Sequence, residues 1–279
     1  MRERLVAEAE RRSMTVAVLR AGDRLDAVDR LIAATDPDAV AVCGDGCTQA
    51  TVAAVAAARD LPYSCVPSGA EDLLARDLGS PLDDPMEALG LPASHTELTI
   101  DLGEVNGIAF VNYVAVGIEM TPRNGGRALE RRRNARGSGR AWPAPGDLGD
   151  GVPPKREADR LPALLVCNNR FKLLDAELGP RPALDRGLLE VTLFRGPVGE
   201  RDFGLRRRSG WYARSCRCFA LGARAPVLAD VDGEPRLLDP PLRFRSVAGA
   251  LRVRVPERPA PGTGIVASDA RPREPARSA

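Results

Sequence analysis

The stretch AVAVCGDGCT, residues 39–48, joins an apolar run to a glycine-rich turn and leads into an alanine-rich segment. Residues 39–43 are typical of a buried strand, and residues 48–59 favour a helix. Gly44 and Gly46 carry no Cβ, so the backbone between the strand and the helix can approach a ligand closely. The helix points free N–H groups at this turn, and such an arrangement binds phosphate. A Gly-Asp-Gly turn is also common as a plain connection, so the turn alone leaves both interpretations open.

Strand-like and helix-like segments alternate on both sides of this turn. Residues 14–19 (MTVAVL) and 63–66 (YSCV) are typical of short buried strands, and residues 24–35 have the spacing of an amphipathic helix. Strands that alternate with helices in this way predict a parallel sheet with crossover helices. Ligands of such sheets bind beyond the carboxyl ends of the strands, where the Gly-Asp-Gly turn lies.

The pattern changes after residue 92 to short alternating runs that turns rich in Gly, Asn, Asp and Pro separate. This pattern predicts an antiparallel sheet or sandwich. The runs are residues 97–102, 108–116, 163–167, 188–194, 217–221, 227–231, 242–244 and 251–255. We therefore predict an α/β + β fold with an α/β lobe over residues 1–92 and a β-rich lobe over residues 93–256. The β-rich lobe includes an Arg-rich loop or frayed helix at residues 121–160, and residues 257–279 are predicted to be a disordered tail.

Composition and charge restrict the class of protein. The chain has 279 residues, of which 44% are hydrophobic and 28% charged, so collagen-like and wholly disordered proteins are excluded. A net charge of +2 is too small for a protein built to neutralise nucleic-acid phosphates. No signal peptide or apolar run of about 20 residues is present, so we expect a cytoplasmic protein without a transmembrane segment. The arginines of residues 123–140 favour peripheral contact with an anionic membrane, and coding bias explains them equally well. The oligomeric state is left open.

Five segments, in chain order, resemble motifs of the diacylglycerol kinase catalytic-domain family, which includes bacterial lipid kinases and is related to NAD kinases. CGDGCT at 43–48 resembles the G-G-D-G-T loop, and PSGAEDLLARDLG at 67–79 resembles P-x-G-T-x-N-x-F-A-R-D-L-G. The others are DLGEVNG at 101–107, PRPALDRGLLEV at 180–191 and DGE at 232–234. The resemblance implies a parallel α/β nucleotide-binding lobe and an antiparallel β-sandwich lobe, with the active cleft between them.

The resemblance also implies a reaction, which is the transfer of a phosphoryl group from ATP, with Mg²⁺, to a hydroxyl of a diacylglycerol-like lipid at a membrane surface. Glu234 and Asp45 are the catalytic residues that it implies, with Glu234 accepting the hydroxyl proton. Asp232 would hold the D-G-E strand or the metal. The residues implied to bind the nucleotide are Gly44, Asp45, Gly46, Cys47, Thr48, Ser68, Gly69 and Ala70.

The chain departs from the family motifs at several of these positions. Most of the changes remove a neutral hydrogen-bonding group or add a negative charge where phosphates would lie, and they are Cys43, Cys47, Ala70, Glu71 and Asp72. Each lost hydrogen bond to a charged group weakens binding by roughly 1.5 to 3 kcal/mol. Arg186 stands where some relatives have an acidic ligand of a structural magnesium, so that metal site is expected to be lost.

These departures keep two alternatives to the lipid kinase open. One is a catalytically degenerate pseudokinase that binds a lipid or a protein partner, and the other is phosphoryl transfer to a different acceptor, as in NAD kinases. Relatives also begin with a strand and a phosphate turn before the equivalent of Met14. The preceding residues 1–13 have the pattern of a charged helix, so the α/β lobe is expected to lack its first strand.

Overall fold

The structure of the chain is a computed structural model, which describes residues 2–19, 25–69, 72–89, 95–123, 126–131, 163–174, 177–194 and 211–256. The helices in these residues are α1 (Arg2–Arg11), α2 (Leu25–Thr35), α3 (Gly46–Ala58), α4 (Leu73–Asp77) and α5 (Pro85–Ala88). The strands of the first half are β1 (Val40–Cys43), β2 (Tyr63–Val66), β3 (His95–Val105), β4 (Ile108–Phe110), β5 (Tyr113–Val116), β6 (Ile118–Arg123) and β7 (Gly126–Arg131). The remaining strands are β8 (Ala163–Asn168), β9 (Leu173–Leu174), β10 (Glu177–Leu178), β11 (Leu189–Phe194), β12 (Trp211–Cys216), β13 (Cys218–Leu221), β14 (Val227–Val231), β15 (Glu234–Leu238) and β16 (Leu242–Pro256).

A mixed sheet of order β1-β2-β16-β3-β4 forms the α/β lobe, and β13 pairs with β16 at its side. β1 and β2 are parallel, as are β2 and β16, whereas β16 and β3 are antiparallel. The last strand that the structure describes, β16, therefore lies between β2 and β3 of the first half. The predicted domain boundary between residues 92 and 93 stays a prediction, and the mixed sheet runs across it.

An antiparallel sheet of order β12-β11-β8-β5-β14-β15 forms the second lobe. A small sheet of order β6-β7-β10-β9 accompanies it. The predicted combination of an α/β lobe with an antiparallel β lobe is thus confirmed.

The two largest apolar cores of the described residues follow from the sequence pattern. In α2, Val28 and Ile32 lie four residues apart on one face, and both are buried against α3 and the mixed sheet. In α3, Ala53 and Ala56 are fully buried, because alanine lets a helix pack closely on a sheet. The second core fills the space between the mixed and the antiparallel sheets. There the rings of Phe219 and Phe244 stack with their centres 4.6 Å apart.

Residues 14–19, predicted as the first strand, form no strand, so this prediction was wrong. β1 is the edge of the mixed sheet in the described part of the chain and pairs there with β2. A strand needs a neighbouring backbone that takes its N–H and C=O groups, and no strand of the described part of the chain pairs with residues 14–19. The side chains of Val16 and Val18 are accordingly 37% and 54% exposed.

Two other expectations need correction. Residues 242–244 and 251–255 were predicted as separate strands, but both belong to β16, whose pairing with β3 shifts between Val247 and Leu251. The first part of the predicted Arg-rich loop contains β6 and β7, which pair antiparallel up to Arg123 and Gly126. The sequence between these two residues is Asn-Gly, the pair typical of a two-residue hairpin turn. Residues 132–160 of that loop and the predicted tail 257–279 lie outside the described residues.

Candidate functional site

The predicted phosphate-binding turn lies where β1 ends and α3 begins. Asp45 is the N-cap of α3, and its Oδ1 accepts a hydrogen bond from the Thr48 N–H at 2.9 Å. The first N–H groups of a helix have no acceptor inside that helix, and those of Gly46 and Cys47 belong to this turn. The cap therefore orders the turn while the helix keeps its free donors and its positive dipole end toward an incoming anion.

Gln49 ties this turn to the second predicted loop. Its side-chain amide donates to the carbonyl of Gly44 at 3.0 Å and to the carboxylate of Asp72 at 2.6 Å. Asp72 also accepts hydrogen bonds from the N–H groups of Ser68 and Ala75. Burial raises the pKa of the Asp72 carboxyl, and these hydrogen bonds oppose the rise. The two loops thus form one hydrogen-bonded unit.

The space beside the second loop is open at Gly69. A Cβ built on this residue would meet no atom of the described residues within 4 Å, so a side chain or ligand atom has room beside its backbone. In the first loop, a Cβ on Gly44 would lie 2.9 Å from the Cβ of Thr48, which explains why this position requires glycine. Ala70 and Glu71 lie outside the described residues.

The Asp232-Gly233 turn of the β14–β15 hairpin packs directly on the phosphate-binding turn. Val231 pairs with Glu234, so only Asp232 and Gly233 connect the strands, with φ values of 50° and 93°. A Cβ on Gly46 would lie 2.8 Å from the Asp232 carbonyl oxygen. The close approach of the two backbones brings a residue of the antiparallel sheet to the N-terminal end of α3.

The Asp232 carboxylate holds the segment that precedes β5. Its oxygens accept hydrogen bonds from the N–H groups of Val111, Asn112 and Tyr113 at 2.7, 2.9 and 2.8 Å. Burial raises the pKa of the Asp232 carboxyl to about 7, although these N–H donors and the nearby Arg181 act in the opposite direction. Asp232 therefore positions the hairpin through backbone contacts, as one of its two predicted roles requires.

Asp232 should make folding depend on pH. Its pKa is about 7 in the folded chain and near the ordinary 3.8 in the unfolded chain, so between these values the folded state binds more protons. The contribution of this group to the free energy of unfolding therefore falls as the pH rises from about 4 to about 7 and is constant above that. In Asp232→Asn this fall should disappear. Urea unfolding of both proteins across this range measures it, and a pH-independent difference between them would contradict the assignment.

Glu234, the predicted base, lies against the start of α3. Its Oε2 accepts a hydrogen bond from the Cys47 thiol and another from Arg236 Nη2 at 2.5 Å. Nη2 of Arg236 also lies 3.8 Å from the Cys47 sulfur. We call these three residues the Glu234 cluster. The cluster is partly open to solvent, since the side chains of Glu234 and Arg236 are 34% and 44% exposed.

Cys47 acts in this cluster as a hydrogen-bond donor. Burial and the hydrogen bond to Glu234 raise the pKa of the Cys47 thiol to about 11, although Arg236 opposes the rise. The thiol therefore keeps its proton at neutral pH. A threonine hydroxyl, which the family motif has at this position, would also donate there, so this departure preserves a donor.

Arg181 connects the two lobes behind the site. Its side chain is fully buried, and Nε donates to the equally buried Asp77 at the end of α4 at 2.6 Å. Nη1 donates to the carbonyl of Val111 at 2.6 Å, and Nη2 to the side-chain oxygen of Asn112 at 3.1 Å. The guanidinium also lies 4.6 Å from the ring centre of Phe171. Arg181 therefore fixes the position of Val111 and Asn112, which Asp232 also binds, relative to α4 of the α/β lobe.

The loop that carries Arg186 is held by protein groups. Asp101 accepts hydrogen bonds from Gly187 N–H at 2.5 Å, Gly249 N–H at 2.8 Å and the side-chain amide of Asn169 at 3.0 Å. The Arg186 N–H donates to the Asn169 side chain at 3.2 Å. Asp101 and Asn169 therefore hold the backbone of this loop in place. Within the described ranges, no group of three or more His, Cys, Asp or Glu side chains is arranged to hold a metal ion.

The structure brings most of the predicted site residues together. The predicted residues at the start of α3 lie on the α/β side of the site, and Gln49 and Asp72 link them to the loop of Ser68 and Gly69. Glu234 reaches the same place from the antiparallel sheet. No sequence motif had pointed to Gln49, Arg181 or Arg236 as residues of the site. Arg236 offered one signal, because it lies two residues after Glu234 and alternate residues of a strand share a face. Arg181 offered none, since a buried ion pair across the chain has no local pattern.

Residues 3–105 match the sequence family described as the diacylglycerol kinase catalytic domain. A "probable lipid kinase YegS-like" of Pseudomonas aeruginosa is 29% identical over 265 residues, which cover 84% of this chain and 82% of that protein. A diacylglycerol kinase structure from Bacillus anthracis str. Sterne has a similar fold, with a TM-score of 0.56 and 15% identity over 88% of this chain and 85% of its own. Among the residues described, no helix is long and apolar enough to cross a membrane. The match over residues 3–105 and the two-lobe fold agree with the motif resemblance, and together they identify a region similar to the diacylglycerol kinase catalytic domain in this chain.

Proposed function

We propose that the chain is an ATP-dependent lipid kinase that phosphorylates a hydroxyl of a diacylglycerol-like lipid at a membrane surface. One observation carries this proposal: the Glu234 carboxylate lies at the N-terminal end of α3, in contact with Cys47 of the predicted phosphate-binding turn. Phosphoryl transfer needs such a base beside the phosphates, so that it can accept the proton of the attacking hydroxyl. The lipid kinase name of the Pseudomonas relative supports the same reaction class.

The Glu234 cluster suits Glu234 to accept a proton. Both hydrogen bonds described for its carboxylate reach Oε2, so Oε1 is the atom assigned to the lipid hydroxyl. The hydroxyl oxygen forms a bond to the γ-phosphorus while its proton moves to Oε1. The bond between the γ-phosphorus and the bridging oxygen breaks, and ADP leaves with that electron pair. The products are a phosphorylated lipid, ADP and a protonated Glu234.

The turn between β1 and α3 would bind the nucleotide phosphates. Gly46 and Cys47 contribute first-turn N–H groups, and Asp45 keeps the turn in place through its cap on Thr48. Gln49 joins this turn to the second loop, which carries Ser68 and the unobstructed Gly69. Magnesium as the companion of ATP stays a prediction, and no step is assigned to a metal.

A transfer assay tests the proposal directly. The full chain is incubated with γ-labelled ATP, Mg²⁺ and diacylglycerol in mixed detergent micelles, and labelled phosphatidic acid is measured. Triacylglycerol, which has no free hydroxyl, is the matched control lipid. Label that appears only with diacylglycerol is expected. If the chain binds the micelles and transfers no label, the kinase proposal fails and the lipid-binding pseudokinase is favoured.

A further inference from the structure

We propose that Arg236 is a catalytic residue of this chain, which binds the γ-phosphoryl group of ATP during its transfer. The inference rests on the proposed kinase function and adds a residue to it. Three observations carry it, namely the position of the guanidinium, the charges around it and the use of the other nearby arginines.

The guanidinium of Arg236 lies at the phosphate-binding turn. Its Nη2 is 3.8 Å from the sulfur of Cys47, the second residue of α3. The same nitrogen donates to Glu234, the residue that would face the attacking hydroxyl. A cation that touches both the phosphate turn and the base lies where the transferred group passes between donor and acceptor. The guanidinium carries five N–H donors, and its hydrogen bonds to the residues described use Nη2, which leaves Nη1 and Nε for phosphate oxygens.

The charges of the surrounding side chains require such a cation. Asp45 caps α3, Asp72 lies in the second loop, and Glu234 stands at the start of the helix. All three carboxyl groups belong to the residues that would enclose the phosphates. Cys47 adds no charge, since its thiol is protonated. A transferring phosphoryl group needs positive charge to stabilise it, and Arg236 contributes one at this turn.

Two other arginines near the lobe interface are already engaged by protein groups. Arg76 donates to the carbonyls of Leu178 and Gly179 and pairs with Asp77. Arg181 is fully enclosed and pairs with Asp77 as well. Arg236, by contrast, contacts Cys47 in the phosphate-binding turn. Its exposed side chain leaves room for a nucleotide to approach.

The inference predicts a specific loss in Arg236→Met, which removes the charge and keeps an unbranched chain. Turnover in the lipid assay should fall by about 10³-fold or more, as for arginines that stabilise a transferring phosphoryl group. ATP should bind more weakly to the variant, while ADP, which lacks the γ-phosphate, should bind as it does to the native chain. Arg243→Met, an exposed position on β16, is the matched control and should change neither quantity.

A second variant separates phosphate binding from mere positioning of Glu234. In the Glu234→Gln background, Arg236→Met should still weaken ATP binding by the same factor, measured calorimetrically. If the two changes together weaken ATP binding no more than Glu234→Gln alone, Arg236 acts only through Glu234 and the inference is overturned. A native chain that neither binds ATP nor transfers phosphate overturns the kinase proposal and this inference together. An active native chain with an equally active Arg236→Met overturns the inference alone.

Discussion

Arg181→Leu is expected to lower the free energy of unfolding by about 3–5 kcal/mol, the usual loss when one partner of a buried ion pair is removed. Neither the Arg181 nor the Asp77 side chain is exposed to solvent, so the Asp77 carboxylate would stay buried without its 2.6 Å partner. Arg76, which lies 3.3 Å from Asp77, can offset only part of this loss, because its own guanidinium binds two carbonyls. Urea unfolding of the native and variant chains measures the difference.

The matched control for this variant is Arg245→Leu. Arg245 makes a two-point contact with Glu104, but it lies on the surface of the mixed sheet with 61% of its side chain exposed. Surface pairs of this kind contribute about 0–1 kcal/mol. Equal losses in the two variants would show that the burial of Arg181 is unimportant for stability. If Arg181→Leu does not fold, the double variant Arg181→Leu/Asp77→Leu should recover folding, because it removes the uncompensated charge.

The loss at Arg181 should also reach the candidate site. Arg181 binds the carbonyl of Val111 and the side chain of Asn112, and both residues donate their N–H groups to Asp232. The backbone of Asp232 also packs against Gly46 at the start of α3. A change at Arg181 therefore loosens the contact that brings Glu234 to the phosphate-binding turn.

Much of the α/β lobe follows from local pattern. Residues 24–35 and 48–59 were predicted as helices, and α2 and α3 occupy nearly these residues, since their periodic apolar or alanine-rich faces require burial. The strand at 63–66 matches β2 because all four of its residues are buried. Residues 14–19 have an equally apolar pattern and form no strand. Strand formation depends on a neighbouring strand, and no local pattern reports whether one is present.

In the candidate site, too, local pattern predicted some features and contacts between distant residues decided the others. The Gly-Asp-Gly and D-G-E motifs indicated the two ends of the site, because glycine turns are recognisable in a sequence. The contact between Cys47 and Glu234 joins residues that are 187 positions apart in the chain, and only the folded structure reveals it. Burial likewise decides the pKa of Asp232, which depends on packing from both lobes. The contacts and the burial at the interface between the lobes could therefore not be predicted from the sequence.

Glu234→Gln should reduce lipid phosphorylation by about 10²- to 10⁴-fold, the range that general base catalysis contributes. Glutamine keeps the size of the side chain but cannot accept the hydroxyl proton at neutral pH. ATP binding should persist, because the phosphate turn and its Asp45 cap are untouched. Asp45→Asn is expected to weaken both ATP binding and turnover, since the Asp45 carboxylate caps α3 and thereby orders the phosphate-binding turn.

Comparing these two variants tests the assignment of roles more sharply than either one alone. Turnover is measured in the micelle assay and ATP affinity by calorimetry, with Glu104→Gln as a control for the same chemical change in the surface pair with Arg245. A loss of turnover without loss of ATP binding in Glu234→Gln assigns the proton-accepting role to this carboxylate. A native rate in Glu234→Gln would exclude Glu234 as the base, and Asp45, the other carboxylate at the start of α3, would then have to accept the proton.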